Sequence, residues 1–165
     1  MFIFDTQSAL EQWARLVGQA CTQPCVIYLQ GDLGVGKTTW MRAFLEGAGI
    51  QGVIRSPTYT LVETYMTETG YYAHADLYRL EAPSALEGLD LRAMVGNCIL
   101  GIEWPEKGGR YTPVADFSIR LQIAAAEKRI LEVQAFTELG NQYMALLSSL
   151  YEENKCSGSN DSPLN

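Results

Sequence analysis

Residues 31–38 read Gly31-Asp32-Leu33-Gly34-Val35-Gly36-Lys37-Thr38, and Thr39 follows. The run fits the pattern Gly-x-x-x-x-Gly-Lys-Ser/Thr, whose chemistry is the gripping of phosphate groups. Each part has a physical task. Gly31, Gly34 and Gly36 carry no Cβ, so the backbone can turn successive N–H groups inward to cradle phosphate oxygens. Lys37 offers a cation to the β- and γ-phosphates. The Thr38 hydroxyl is a hard oxygen ligand for Mg²⁺, and Thr39 can donate toward the α-phosphate. The alternative is a glycine-rich turn with a chance lysine. Its flanks argue against that: a short apolar run, Val26-Ile27-Tyr28-Leu29, leads in as a buried strand, and a helix begins near Lys37.

Mg²⁺ takes an octahedral oxygen shell that carboxylates and water complete. Two acids stand where strands are expected to end. Glu103 follows the apolar run Cys98 to Ile102, and Asp76 follows Tyr71 to Ala75. Either is a candidate metal anchor, directly or through water, or else a surface acid that merely terminates a strand. His74 lies two residues before Asp76, on the same expected strand face. It reads either as a half-buried polar residue or as a hydrogen-bonding group that orients the site. Trp104-Pro105 reads as packing, or as the turn that aims Glu103. Ser56-Pro57-Thr58-Tyr59-Thr60 is crowded with hydroxyls after the loop's helix. Such a segment can act as a switch ordered by the γ-phosphate, or be an ordinary Pro-containing turn.

These groups need a scaffold, and the hydrophobic pattern predicts one. Leu10, Trp13, Ala14, Val17 and Gly18 recur at helical spacing over Ser8 to Ala20, with Ser8 as cap. The helix from Lys37 should stop at Gly47 or Gly49. Thr60 to Tyr65 and Tyr71 to Ala75 flank Gly70 as a hairpin, and Pro83 to Met94 reads as helical. Ile119 to Ile123 and Ile130 to Ala135 read as a late hairpin or strand pair, and Thr137 to Leu150 as a closing helix. Helices interleaved with buried strands imply an α/β fold with helices on both faces of a mixed sheet. After Leu150 the composition turns polar. The folded domain is therefore expected over residues 1 to about 150, with 151–165 as a frayed tail.

At 165 residues the chain is long enough for one compact domain with its own core. Hydrophobic residues make up 47% and charged residues 19%, which excludes a largely disordered chain. No apolar run reaches the ~18–20 residues of a membrane helix, and the start lacks the features of a signal peptide. A net charge of −7 argues against a broad nucleic-acid surface, leaving room only for a small basic patch around residues such as Arg42, Arg55 and Arg79. Cys21, Cys25, Cys98 and Cys156 read as reduced thiols of a cytoplasmic protein. Cys21 and Cys25 lack the further ligands that a structural zinc site needs.

Taken together, four segments resemble the bacterial TsaE (YjeE) family: the run Gly31 to Thr39, Ser56-Pro57-Thr58-Tyr59-Thr60-Leu61-Val62-Glu63, His74-Ala75-Asp76-Leu77-Tyr78-Arg79-Leu80, and Glu103-Trp104-Pro105-Glu106. Order and spacing agree across residues 1 to 150. The resemblance implies a P-loop NTPase-like single domain and an ATPase in the threonylcarbamoyl modification of the adenosine beside the tRNA anticodon. It implies TsaD and TsaB as partners, with tRNA met only through their complex. By resemblance, residues 31 to 39 and Trp104 bind nucleotide, and Thr38, Glu103 and Asp76 serve Mg²⁺. Lys37, Asp76 and Glu103 carry the chemistry, Ser56 to Thr60 form the switch, and Asp5 to Ser8 lie near the base. ATP rather than GTP also rests on the resemblance, since no Asn-Lys-x-Asp motif is present. This chain departs from the family at Ala75, where a bulky aromatic is usual, at Val35, where Ala is commoner, and in its long polar C-terminus. A small-molecule kinase and a nucleotide-switched binding module remain the alternative readings. Arg79 is the arginine nearest to a place on the γ-phosphate.

Overall fold

The computed structural model describes residues 1–68 and 70–158, with side chains described through Lys155. Among these a seven-stranded mixed sheet runs β1 (Phe2–Phe4), β7 (Arg129–Ala135), β6 (Phe117–Ile123), β2 (Cys25–Gln30), β5 (Ile99–Glu103), β4 (Tyr71–Asp76) and β3 (Val62–Met66). β2 pairs parallel with both β5 and β6, and β5 pairs parallel with β4. The hairpin β3–β4 is antiparallel, as its Gly70 turn predicted; β6–β7 is likewise an antiparallel pair, and β1 closes antiparallel on β7.

The parallel centre is apolar because both of its faces are covered. Along β2, Cys25, Ile27 and Leu29 point to the core under α1 (Gln7–Ala20), α2 (Lys37–Gly47) and α4 (Glu138–Gly158), while Val26 points to the opposite core. That second core holds Ala73, Ala75, Leu100 and Ile102 beneath Leu77, Leu80, Leu86 and Leu91. The first is built on Trp13, Trp40, Phe44, Tyr72 and Phe117. α1 and α2 cross closely: a Cβ at Gly47 would stand 2.0 Å from the Arg15 carbonyl oxygen, so only glycine allows the approach.

Three local expectations change. α1 begins at Gln7, and its cap is Thr6 rather than Ser8: the Thr6 hydroxyl accepts from the Ala9 N–H at 3.1 Å. The segment expected as one helix over Pro83 to Met94 is a 3-10 turn, Pro83–Leu89, followed by α3 (Leu91–Met94). Gly88 is a poor helix former, and Asp90 takes a left-handed φ of 41° that interrupts the winding. β1 is too short for a periodic signal; Phe2 and Phe4 pack on Trp13.

The boundary expected at residue 150 falls inside α4. Tyr143, Leu147 and Tyr151 recur every four residues and are all buried. The Tyr151 hydroxyl donates to the Ile3 carbonyl and accepts from the Ile3 N–H, each at 2.9 Å, so this residue of the expected tail ties the helix to β1. Residues 159–165 of that tail lie outside the described residues, as does the Cys156 side chain. Cys21, Cys25 and Cys98 are free and buried. Among the described residues no helix is long and apolar enough to cross a membrane.

Candidate functional site

The site lies where the parallel strands β2, β5 and β4 end. Alternation along a strand sends residues 72, 74 and 76 to one face and 73 and 75 to the other. His74 and Asp76 therefore share the face of Tyr72, which packs into the core beneath α1, α2 and α4. The β4–β5 register sets Asp76 beside Glu103 and His74 beside Gly101. Ala75 points the other way, fully buried among the leucines of the second core, so its small size does not touch the site.

β2 delivers the glycine-rich loop of residues 31–38 to the N-terminus of α2. Gly31 has φ 129°, and a Cβ there would meet the Leu121 carbonyl oxygen at 2.3 Å. Gly36 precedes the helix at φ 108°, and no side chain caps α2, which leaves its first N–H groups facing the cavity. Val35, larger than the usual alanine, is accommodated in the core, and its carbonyl accepts from Arg129 Nε at 3.3 Å.

Lys37 is buried and its Nζ donates to the carbonyls of Gly31 at 2.7 Å and Asp32 at 2.8 Å. The ammonium also lies 4.1 Å from the centre of the Trp104 ring. Burial pushes its pKa below the ordinary lysine value, and the negative charges of Glu103 and Asp76 work in the opposite direction. One residue on, Thr38 Oγ1 donates to Glu103 Oε2 at 3.0 Å. The other oxygen, Oε1, lies 2.9 Å from His74 Nε2. His74 is 1% exposed, so the half-buried expectation gives way to a fully buried ring in the site. Asp76 is equally committed: Oδ2 accepts from Thr58 at 2.9 Å and Oδ1 from the Tyr78 N–H at 3.0 Å.

Trp104 takes the left-handed conformation, φ 56°, directly before Pro105. A non-glycine residue there stores about 1–3 kcal/mol of strain, consistent with a turn held to aim Glu103. The cavity so enclosed measures about 370 Å³. Its walls bring together Lys37, Thr38, Thr39, Thr58, Asp76, Glu103 and Trp104, with Leu33, Gly34 and Gly36 at the loop. Gly31, Asp32 and Val35 instead line a neighbouring depression beside β6. Of the hydroxyl-rich segment only Thr58 reaches the cavity. Ser56 supports it at 2.7 Å, Pro57 accepts from the Leu61 N–H, Thr60 donates to Glu63, and Tyr59 is exposed beneath the Arg79 guanidinium at 4.5 Å. The Asp5 to Ser8 stretch contributes Thr6, Gln7 and Ser8 to a separate hollow shared with Arg129.

Two contributors escaped the sequence reading. Tyr78 bonds Asp76 through its N–H and sets its ring 5.1 Å from Trp104; the signal was an acid two residues before it, as in an Asx turn. Arg129, 94 residues from Val35, gave no local signal.

A glycine loop, a lysine, a hydroxyl and two buried carboxylates at parallel strand ends form a site suited to a nucleoside polyphosphate with a hard cation. The oxygen donors of Thr38 and Glu103, with Asp76 beside them, are of the kind Mg²⁺ selects. The sequence pattern of the family described as "Threonylcarbamoyl adenosine biosynthesis protein TsaE" matches residues 4–131. The chain belongs to the TsaE family. The TsaE protein of Haemophilus influenzae is 42% identical over 141 residues, covering 84% of this chain and 89% of its own. That of Bacillus subtilis is 33% identical over 137 residues, covering 83% and 84%. Both are named tRNA threonylcarbamoyladenosine biosynthesis proteins. The crystal structure of Bacillus subtilis YdiB superposes with a TM-score of 0.75 at 24% identity, over 90% of this chain and 93% of that one. It shares the fold of this TsaE family member.

Proposed function

We propose that this TsaE family chain is an Mg²⁺-dependent ATP hydrolase that serves the threonylcarbamoyl modification of the adenosine beside the tRNA anticodon. It acts in the cytoplasm with TsaD and TsaB and meets tRNA only through their complex. The observation that carries the reading is the 3.0 Å pair of Thr38 Oγ1 and Glu103 Oε2 at the start of the phosphate-loop helix. Family membership supplies the pathway.

The reaction is transfer of the γ-phosphoryl group to water. A bond forms between the water oxygen and phosphorus, the bond to the ADP oxygen breaks, and the water proton leaves with the products. Thr38 and Glu103 would hold Mg²⁺, which would supply charge neutralisation on the phosphates. The loop N–H groups hold the phosphate oxygens, and Lys37 exchanges its carbonyl partners for them. Asp76, anchored on two sides, orients the water. Trp104 walls the nucleotide side of Lys37 and excludes solvent. Positioning and charge stabilisation dominate this chemistry.

The Thr58–Asp76 bond favours a second reading, in which nucleotide occupancy switches partner docking and hydrolysis resets it. The deciding experiment measures ATP turnover with and without TsaD and TsaB, and partner capture with ATP and with ADP. Slow turnover alone, a partner-dependent rise and stronger capture in one nucleotide state support the proposal. Fast turnover alone with identical capture in both states overturns it. A phosphorylated small-molecule product would make the chain a kinase.

A further inference from the structure

Glu103 is 2% exposed and His74 1% exposed, so this carboxylate and imidazole face each other out of contact with water. Glu103 has two anchors, one on each oxygen: His74 Nε2 at 2.9 Å on Oε1 and Thr38 Oγ1 at 3.0 Å on Oε2. The Thr38 hydroxyl carries a single proton and is also the group placed to ligate a cation. The His74 anchor has no such second duty. Its other nitrogen, Nδ1, is buried with no hydrogen-bond partner. A proton on Nδ1 would bury a donor without an acceptor, at about 1–3 kcal/mol. A proton on Nε2 is used by Glu103. The surroundings therefore place the proton on Nε2.

We propose that His74 is the positioning residue of this site: an imidazole that carries its proton on Nε2, holds Glu103 Oε1 and so presents Oε2 to the metal side beside Thr38. The metal half of this statement rests on the Mg²⁺·ATP reading above, whereas the tautomer half stands on the pair itself. The β4–β5 register explains why the anchor is at residue 74. It puts His74 beside Gly101, two residues before Glu103 on the same face, while the space over Gly101 itself is filled by Met41, whose Sδ lies 2.6 Å from where a Cβ would stand.

His74 is the sole histidine of the chain, so histidine labelling with ¹⁵N reports one ring without assignment. In the intact wild-type protein at mildly alkaline pH, Nε2 is expected to resonate as a protonated nitrogen and Nδ1 as a bare one. Glu103→Ala should shift the Nε2 signal. A proton on Nδ1, or averaging between the two tautomers, overturns the proposal. The second measurement is calorimetric binding of ATP against Mg²⁺ concentration, with no turnover required. His74→Leu should raise the Mg²⁺ needed about 10–100-fold, the range for loss of a ligand's outer partner. His74→Gln, whose Nε2 can reach the same place, should restore most of it. In a Glu103→Gln background, His74→Leu should add nothing further. Equal effects of Leu and Gln, or full additivity, overturn the positioning role. Should His74→Leu fail to fold, the wild-type tautomer and the Gln variant decide: Gln must bind Mg²⁺·ATP close to wild type. A protein with the expected tautomer that hydrolyses no ATP would sink the hydrolase reading and leave the His74–Glu103 geometry standing.

Discussion

The Thr58 hydroxyl donates to Asp76 Oδ2 at 2.9 Å, joining the hydroxyl-rich loop after α2 to a buried carboxylate at the end of β4. Asp76 ends β4, an interior strand of the mixed sheet between β5 and β3, while its partner lies on the loop between α2 and β3. One hydrogen bond thus connects the cavity to that loop. A bond to an ionised acceptor contributes about 1.5–3 kcal/mol, enough to bias the loop and small enough for a ligand to overcome.

Thr58→Ala should therefore release the loop. Expected are about 10-fold or greater slowing of ATP turnover and faster proteolytic cutting within residues 55–61, in line with the bond's energy. Thr58→Ser keeps the donor and should stay near wild type. Equal proteolysis rates in all three proteins would remove the bond's role.

Lys37→Ala should weaken ATP binding by about 10–100-fold, the equivalent of a charge-assisted bond of about 1.5–3 kcal/mol. Fold stability should change little or rise slightly, because Lys37 is a desolvated cation whose pKa burial lowers. Calorimetric titration with ATP and thermal unfolding check both halves. Unchanged affinity would end the phosphate-loop assignment.

Thr38→Ala and Glu103→Ala should raise the Mg²⁺ requirement for turnover while leaving metal-free nucleotide binding nearly intact, since the loop N–H groups remain. Glu103→Ala carries a further penalty. It strands the buried His74 Nε2–H, which costs about 1–3 kcal/mol of stability. Glu103→Gln, which still offers an acceptor, should lose the metal effect's charge without that destabilisation. Mg²⁺ titrations of rate and urea unfolding separate the two.

Burial pushes the Cys21 thiol from 9.0 up to about 12 and that of Cys98 up to about 11. The folded chain thus keeps thiol protons that the unfolded chain releases, so the unfolded state binds fewer protons and stability falls as pH rises. Full stability from these groups is present below about pH 9, and it declines from there toward about pH 12 for Cys21. Tyr28 and Tyr143, raised by burial in the same way, steepen the decline. Denaturation midpoints across that interval should fall, and Cys21→Ala should flatten the slope. A midpoint independent of pH would contradict the burial of these groups.

Much of the site was legible because its parts are contiguous. The glycine-rich loop is a run from Gly31 to Thr38 whose shape lies in backbone angles and local spacing, and a strand before it and a helix after it are signalled by neighbouring residues. The short apolar runs behind β2 and β5, and the hairpin turns, are local too. What tertiary structure alone decided is which distant residues meet. Thr38 and Glu103 are 65 positions apart, and His74 and Glu103 are 29 apart. Their meeting depends on the β4–β5 register and on how α2 docks over the sheet, and no local periodicity encodes either. The same holds for Arg129 on the Val35 carbonyl and for Tyr151 on β1, which carries α4 past the expected boundary. Local composition there reads as polar tail, but Tyr143, Leu147 and Tyr151, buried every fourth residue along α4, gain more from packing on the core than the polar residues between them gain from water. Burial on a face is a property of the neighbour, and the neighbour is chosen only when the chain folds.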